Sequence, residues 1–283
     1  LADEFSKFGY ETTVLKSDTI THGVTQSDIE NEINKIKNKM KSGDTFLLYI
    51  RGHGESSLIF GGGETTKTPG DEYVFIGPNL GLPDNNFLTD DELYSALKGM
   101  DSVNKWVIVD ACHSGGFWGN YNSGDEGDLE KLSKIALLAN AKENTLSYYN
   151  DRLQYRDYPK GLSLSDYALL DLLKAIKGEL KDTPDWMKDW IKKNWHGGEL
   201  TLEEIADWEK EWMDRSTFKD EIVFEQGLGD PAIFTSDMWN PEFLKSADFV
   251  DGLPIAPVPI PSSLLLLGSG LLGLAGWRRV RKE

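Results

Sequence analysis

The sequence predicts a layered α/β domain, a mostly parallel sheet flanked by helices. Three observations predict it. Apolar runs of strand length recur at 45–50, 105–110 and 134–140, as strands buried on both faces require. Stretches with apolar residues at helical spacing lie between and after those runs, several of them opening on a capping box. Strands that alternate with helices pair in parallel, because each crossover helix returns the chain to the same end of the sheet.

The elements follow in chain order. Tyr10 to Leu15 (YETTVL) alternates and is rich in Thr and Val, which predicts a strand. Ser27 to Met40 predicts a helix, with a Ser27/Glu30 capping box and Ile29, Ile33, Ile36 and Met40 on one face. Gly43-Asp44 is a turn, and Thr45 to Ile50 (TFLLYI) is a buried strand. Thr89 to Leu97 is a helix with a Thr89/Glu92 box, and Lys105 to Asp110 (KWVIVD) is a second buried strand. Lys134 to Asn140 (KIALLAN) reads as a third, although period alone also allows a helix. Ser165 to Lys177 is an amphipathic helix carrying Tyr167, Leu170, Leu173 and Ile176.

Residues 182–240 differ in character, holding six of the nine tryptophans. Two helical patterns lie there, one from Thr183-Pro184 to Trp195 and one from a Thr201/Glu204 box to Met213. Glu221–Glu225 and Pro231–Thr235 are candidate added strands. The segment reads as an elaboration of the main domain and not as a repeat.

Composition bounds the function. The chain has 283 residues and a formal net charge of −17, which argues against a nucleic-acid-binding surface. One cysteine excludes an intramolecular disulfide and a cysteine-based zinc cluster. The last six residues carry net +3, leaving −20 for the rest. Ahead of them, Ser262 to Trp277 is an uncharged Leu/Gly stretch of roughly 24 Å as a helix. A buried core helix would have that length too. Gly268, Gly270, Gly273 and Gly276, and the abrupt Arg278 to Lys282 stop, favour a transmembrane helix with its basic tail in the cytoplasm. Gly252 to Pro261 holds four of the eleven prolines and reads as an extended linker. The chain begins at Leu1, so the absence of a leader at its start carries no weight.

Val258-Pro259-Ile260-Pro261, the Leu/Gly span and the Arg cluster together resemble the PEP-CTERM sorting signal of Gram-negative bacteria. The resemblance implies export, recognition of the Val258, Pro259 and Pro261 segment by an exosortase-type membrane protease, and at least transient anchoring in the inner membrane. Val258 and Ile260 depart from the type motif, replacing its leading Pro and its Glu.

The chemistry sits after two strands, where open parallel sheets bind ligands. The first ends in Arg51-Gly52-His53-Gly54, the second in Asp110-Ala111-Cys112-His113-Ser114-Gly115-Gly116. A His and the lone Cys thus leave neighbouring strand ends, flanked by glycines that admit a substrate backbone. A thiol is mostly protonated at neutral pH, and an imidazole can take its proton or activate the substrate carbonyl. The bland alternatives are an inert buried Cys and a loop His. A metal site from Cys112, His113, His53 and His196 fits no known ligand spacing, and His113 adjoins Cys112 too closely in sequence to serve as its base.

Leu47 to Gly54 and Val109 to Gly116 resemble the caspase/metacaspase family of cysteine peptidases, particularly its bacterial caspase-like members. The resemblance spans about residues 1–180 and implies a caspase-like (caspase-hemoglobinase) fold. It implies that His53 is the catalytic base, Cys112 the nucleophile, the amides of Gly54 and Cys112 the oxyanion hole, and Asp110 a wall of the S1 pocket selecting Arg or Lys at P1. Asp110 could instead simply cap the following turn. Arg51 stands where the family often has a small residue, a second acidic wall of S1 is not identified, and the family's first strand is absent, which implies an N-terminal truncation.

The domains expected are a peptidase domain over 1–181, a Trp-rich elaboration over 182–250, a linker with the sorting motif over 251–261, and a transmembrane helix with its basic tail over 262–283. No cofactor is expected, although Asp125, Glu126 and Asp128 in the loop after the nucleophile offer a calcium reading beside a merely solvated one. The leading expectation is an exported endopeptidase acting on proteins or peptides. Its competitors are a same-fold peptidase of other specificity, legumain-like or clostripain/gingipain-like, and a non-catalytic envelope or matrix protein that binds through the Trp-rich segment.

Overall fold

The computed structural model describes residues 1–17, 23–56, 72–76, 87–119, 129–141, 155–159, 162–195, 198–215 and 241–254. The chain forms two compact units: Leu15–Leu169 with Thr201–Gly252, and Leu1–Val14 with Leu170–Leu200 and the stretch from Leu253.

The larger unit is built on a four-stranded sheet of β1 (Thr45–Arg51), β5 (Asn104–Asp110), β6 (Ile135–Ala139) and β8 (Glu242–Lys245), in that spatial order. β1 and β5 run parallel, as do β5 and β6, whereas β8 closes the edge antiparallel to β6. The run at 134–140 is therefore a strand. Five consecutive residues buried on both faces, Ile135 to Ala139, remove the periodicity that would have told strand from helix. A second, antiparallel sheet of β2 (His53–Ser56), β3 (Glu72–Phe75) and β4 (Phe87–Thr89) follows directly from β1.

The pleat divides the main sheet into two chemistries. On one face Phe46, Ile50, Val107, Val109, Ile135, Leu137 and Ala139 join a core with Ile29 and Ile33 of α2 (Gln26–Lys37) and with Leu93 and Leu97 of α3 (Asp90–Leu97). The opposite parity of β1 and β5 holds Tyr49 and Arg51 in register with Ile108 and Asp110. Towards that parity come the first turns of α4 (Leu164–Ile176) and the helix α6 (Leu202–Arg215), whose Trp208 indole donates to the Ala168 carbonyl at 2.7 Å.

The smaller unit contains α1 (Ala2–Lys7), the rest of α4, α5 (Asp185–Asn194), and β7 (Glu199–Leu200) paired antiparallel with β9 (Leu253–Pro254). The buried Glu4 carboxylate gathers Lys7 at 2.9 Å and Lys177 at 3.5 Å.

Three sequence expectations change. The helix at 26–37 starts earlier than Ser27/Glu30 implies, because Thr25 caps it and forms the reciprocal box with Asp28. Glu30 instead takes the Gln26 amide at 2.8 Å. Tyr10 to Leu15 forms no strand. No described strand pairs with it, and Val14 and Leu15 are 64% and 43% exposed. Alternation of Thr and Val marks what suits a pleat, but a strand also needs a ladder partner. The 165–177 helix begins at Leu164, behind a Ser163/Asp166 box. The boxes at Thr89/Glu92 and Thr201/Glu204 form as read. Glu221–Glu225 and Pro231–Thr235 lie outside the described residues, as does the 262–283 segment. Among the described residues no helix is long and apolar enough to cross a membrane.

The capping assignment is directly testable. Thr25→Ala should cost about 1 kcal/mol in urea denaturation. Ser27→Ala, at an exposed position inside the first turn, should cost no more than a few tenths.

Candidate active site

Two parallel strands in register end together, and that delivers both motifs to one place. Arg51 is the partner of Asp110, and the next amide, Gly52 N–H, donates to the Asp110 carbonyl at 3.3 Å. Beyond this bond, His53-Gly54 opens β2 while Ala111-Cys112 leaves β5. A Cβ on Gly54 would stand 1.9 Å from the Cys112 carbonyl oxygen, 2.8 Å from its carbon and 2.9 Å from its nitrogen. Those atoms are main chain and cannot rotate away, so only glycine fits. His53 is therefore one residue from direct contact with the Cys112 backbone. His53 is exposed and Cys112 is half-buried.

The cysteine loop is fastened from the other side. Ser114 Oγ accepts from the Ala141 amide at 3.1 Å and donates to its carbonyl at 3.2 Å, and the Gly115 amide reaches the same carbonyl at 2.8 Å. His113 is buried and takes a left-handed conformation, φ 60°, which turns the chain into a short 3-10 turn at Ser114–Phe117. The Gly116 amide closes back on the His113 carbonyl at 3.0 Å. The turn thus hangs from the end of β6, one strand beyond β5.

Beneath this loop lies an array of buried charge. Asp110 is 3% exposed. The Tyr49 hydroxyl oxygen is 2.9 Å from an oxygen of Asp110 and 2.9 Å from an oxygen of Asp166. Asp166 sits in the first turn of α4, where its carboxylate accepts from the Ser163 amide at 3.1 Å and pairs with the Arg51 guanidinium at 2.5 Å. Burial, then the charge of Asp166, raises the Asp110 pKa above the usual carboxylate range, against the opposing effect of neighbouring hydrogen-bond donors. Burial opposes the Arg51 charge, but the carboxylates around it outweigh that and raise its pKa. Glu209 of α6 adds a third buried carboxyl. It hydrogen-bonds Ser165 Oγ at 2.6 Å, and burial pushes it up to about 8.

The structure thus brings His53-Gly54 against Cys112 and places Asp110 two residues below it, turned into the array. Asp166, Tyr49 and Glu209 were not legible as site residues. The only sequence signal for Asp166 is the Ser163-x-x-Asp166 capping box, and that pattern marks a helix start, whatever its charge then does. Val258, Pro259, Pro261, His196, Asp125, Glu126 and Asp128 lie outside the described residues.

The family model for the caspase domain matches residues 1–191. The model for the PEP-CTERM protein-sorting motif matches residues 257–282. That motif marks export and sorting to the cell envelope of Gram-negative bacteria. No curated protein matches the chain. Among solved structures, protein GSU0716 from Geobacter sulfurreducens is similar at 18% identity, over 87% of this chain and 80% of that chain, with a TM-score of 0.47.

Two predictions follow from the geometry. Gly54→Ala must push the His53 and Cys112 segments apart. It should cost about 1–3 kcal/mol in stability, measured by urea denaturation. Glu209 keeps its proton in the folded state up to about 8 and releases it near 4.5 when unfolded. Stability should therefore fall as pH rises from about 4.5 to about 8, by at most roughly 1.4 kcal/mol per unit, and then level off. Glu209→Gln should flatten that slope in melting temperatures measured from pH 5 to 8.

Proposed function

The chain belongs to the caspase-domain family, and from that premise we propose that it is an exported cysteine endopeptidase using His53 and Cys112. The observation that carries the reading is the main-chain approach of Gly54 to Cys112, because it fixes the imidazole-bearing and thiol-bearing segments side by side. In the proposed cycle the His53 imidazole takes the proton of the Cys112 thiol, and the thiolate sulfur attacks the scissile carbonyl. The resulting oxyanion is held by the amides of Gly54 and Cys112, a contribution typically worth about 3–4 kcal/mol. The C–N bond then breaks. His53 protonates the departing amine, leaving a thioester on Cys112, and a water activated by the same imidazole hydrolyses it.

The substrates proposed are proteins or peptides with Arg or Lys at P1. The support for this is the acid at the foot of the cysteine loop, Asp110, with Asp166 beside it across Tyr49. A buried carboxylate, here that of Asp166, recognises a cation strongly because little water competes for it. The chemistry draws on no cofactor. The Leu/Gly segment at 262–277 is proposed to anchor the chain in the inner membrane, with Arg278 to Lys282 in the cytoplasm and the peptidase domain outside. An exosortase-type protease would then act at Val258-Pro259-Ile260-Pro261.

Hydrolysis of fluorogenic peptides differing only at P1 tests the reading. Turnover should favour Arg and Lys, vanish in Cys112→Ala, and fall by roughly a hundred- to ten-thousand-fold in His53→Ala. Turnover that persists in Cys112→Ala would sink the nucleophile assignment.

A further inference from the structure

The array beneath the cysteine loop is already occupied by a basic side chain, and that side chain belongs to the protein. We propose that Arg51 is a specificity-determining residue: its guanidinium holds the cation position at Asp166, and a basic P1 side chain enters by displacing it. The inference deepens the peptidase reading and rests on it for the identity of the incoming cation.

Counting protons leads to this assignment. Tyr49 has one hydroxyl proton, yet its oxygen makes a 2.9 Å contact to each of two buried carboxyl groups. One contact must be donated from the carboxyl side. Asp166 accepts from the Ser163 amide and pairs with Arg51, so it is the ionised partner, and Asp110 carries the second proton. The sequence of donors is then Asp110 carboxyl to Tyr49 hydroxyl to Asp166 carboxylate, with Arg51 as counter-ion, and these four groups are together neutral. A neutral array exerts little pull on a further cation. Only exchange at Asp166 restores a strong, bidentate guanidinium–carboxylate pair for a ligand.

Accessibility singles out Arg51 as the exchangeable member. The Asp166 side chain is 5% exposed, whereas that of Arg51 is 31% exposed. Arg51 is the last residue of β1, its backbone is pinned to Asp110, and its long side chain can swing outward without moving the strand. The surroundings also hold a third carboxyl group, Glu209. Glu209 Oε2 is buried without a hydrogen-bond partner among the described residues, and burial, with Asp110 and Asp166 nearby, raises its pKa. An unpartnered carboxyl oxygen beside two acids gives a ligand head such as a guanidinium, which carries five N–H groups, a further polar contact.

The test uses agmatine, a guanidinium without a carboxylate, titrated calorimetrically into the full chain. Arg51→Gln should bind agmatine about tenfold more tightly than the wild type, and adding Asp166→Asn should remove that gain. With peptide substrates, the kcat/KM ratio of P1-Arg to P1-Gln should rise about tenfold in Arg51→Gln, mostly through KM. Arg51→Lys, which keeps the charge and loses the fork, should fall between the two and serves if Arg51→Gln does not fold. Agmatine binding that is equal or weaker in a folded Arg51 variant overturns the proposal. So does cleavage after Asp that Arg51→Gln abolishes, because Arg51 would then be the P1 ligand itself. A chain that cleaves no peptide but gains agmatine affinity in Arg51→Gln would sink the peptidase reading and keep the exchange site. Peptide cleavage with a P1 ratio indifferent to Arg51 would do the reverse.

Discussion

The site depends on one steric constraint, the absence of a side chain at Gly54. Parallel pairing of β1 with β5 brings Arg51 level with Asp110, and the Gly52 amide carries the ladder one bond further. After that bond the two chains are still at main-chain distance, and the Cys112 carbonyl lies where a Cβ would stand. Main-chain contacts of this kind are stiff, because neither partner has a rotamer to change. The segments carrying the imidazole and the thiol inherit that stiffness without needing a hydrogen bond between them to create it. Ser114 and Gly115 supply the matching restraint from β6, so the cysteine loop is held from both neighbouring strands.

Strand parity keeps the Asp110 array on the face of the sheet opposite the core that takes Val107 and Val109. Val107 and Val109 enter the apolar core, while Ile108 and Asp110 share the other face with Tyr49 and Arg51. Burying Asp110 and Asp166 side by side as two anions would be costly. The fold lowers that cost by local means: a raised pKa at Asp110, a hydroxyl shared between the acids, and a guanidinium on Asp166. A polar network satisfied in this way also defines the geometry under the nucleophile more narrowly than packing could, because its hydrogen bonds are directional.

The sorting motif and the single cysteine fit one another. An exported protein meets an oxidising compartment, where paired cysteines would form disulfides. These 283 residues contain no second cysteine with which Cys112 could form a disulfide. The acidic body and the basic tail are likewise separate in charge, with the tail lying within the last part of the matched motif.

The sequence alone determined the strand runs, most of the capped helices, the glycine-flanked His and Cys after adjacent strands, and the sorting motif. Those features are local: an apolar run, a four-residue box or a short motif carries its own physical meaning wherever the chain goes. It misplaced what depends on partners. Tyr10 to Leu15 has strand composition but no ladder, and Ser27 lost the helix start to Thr25, two residues earlier, because two overlapping boxes competed. Asp166, 115 residues from Arg51, and Glu209, 44 from Ser165, became neighbours of the site only when α4 and α6 approached it. The tertiary structure decided that Asp110 is an enclosed acid with a raised pKa and not an open one, because the proton affinity of a carboxyl group is set by its burial and by which charges surround it in space, and sequence spacing does not contain that distance.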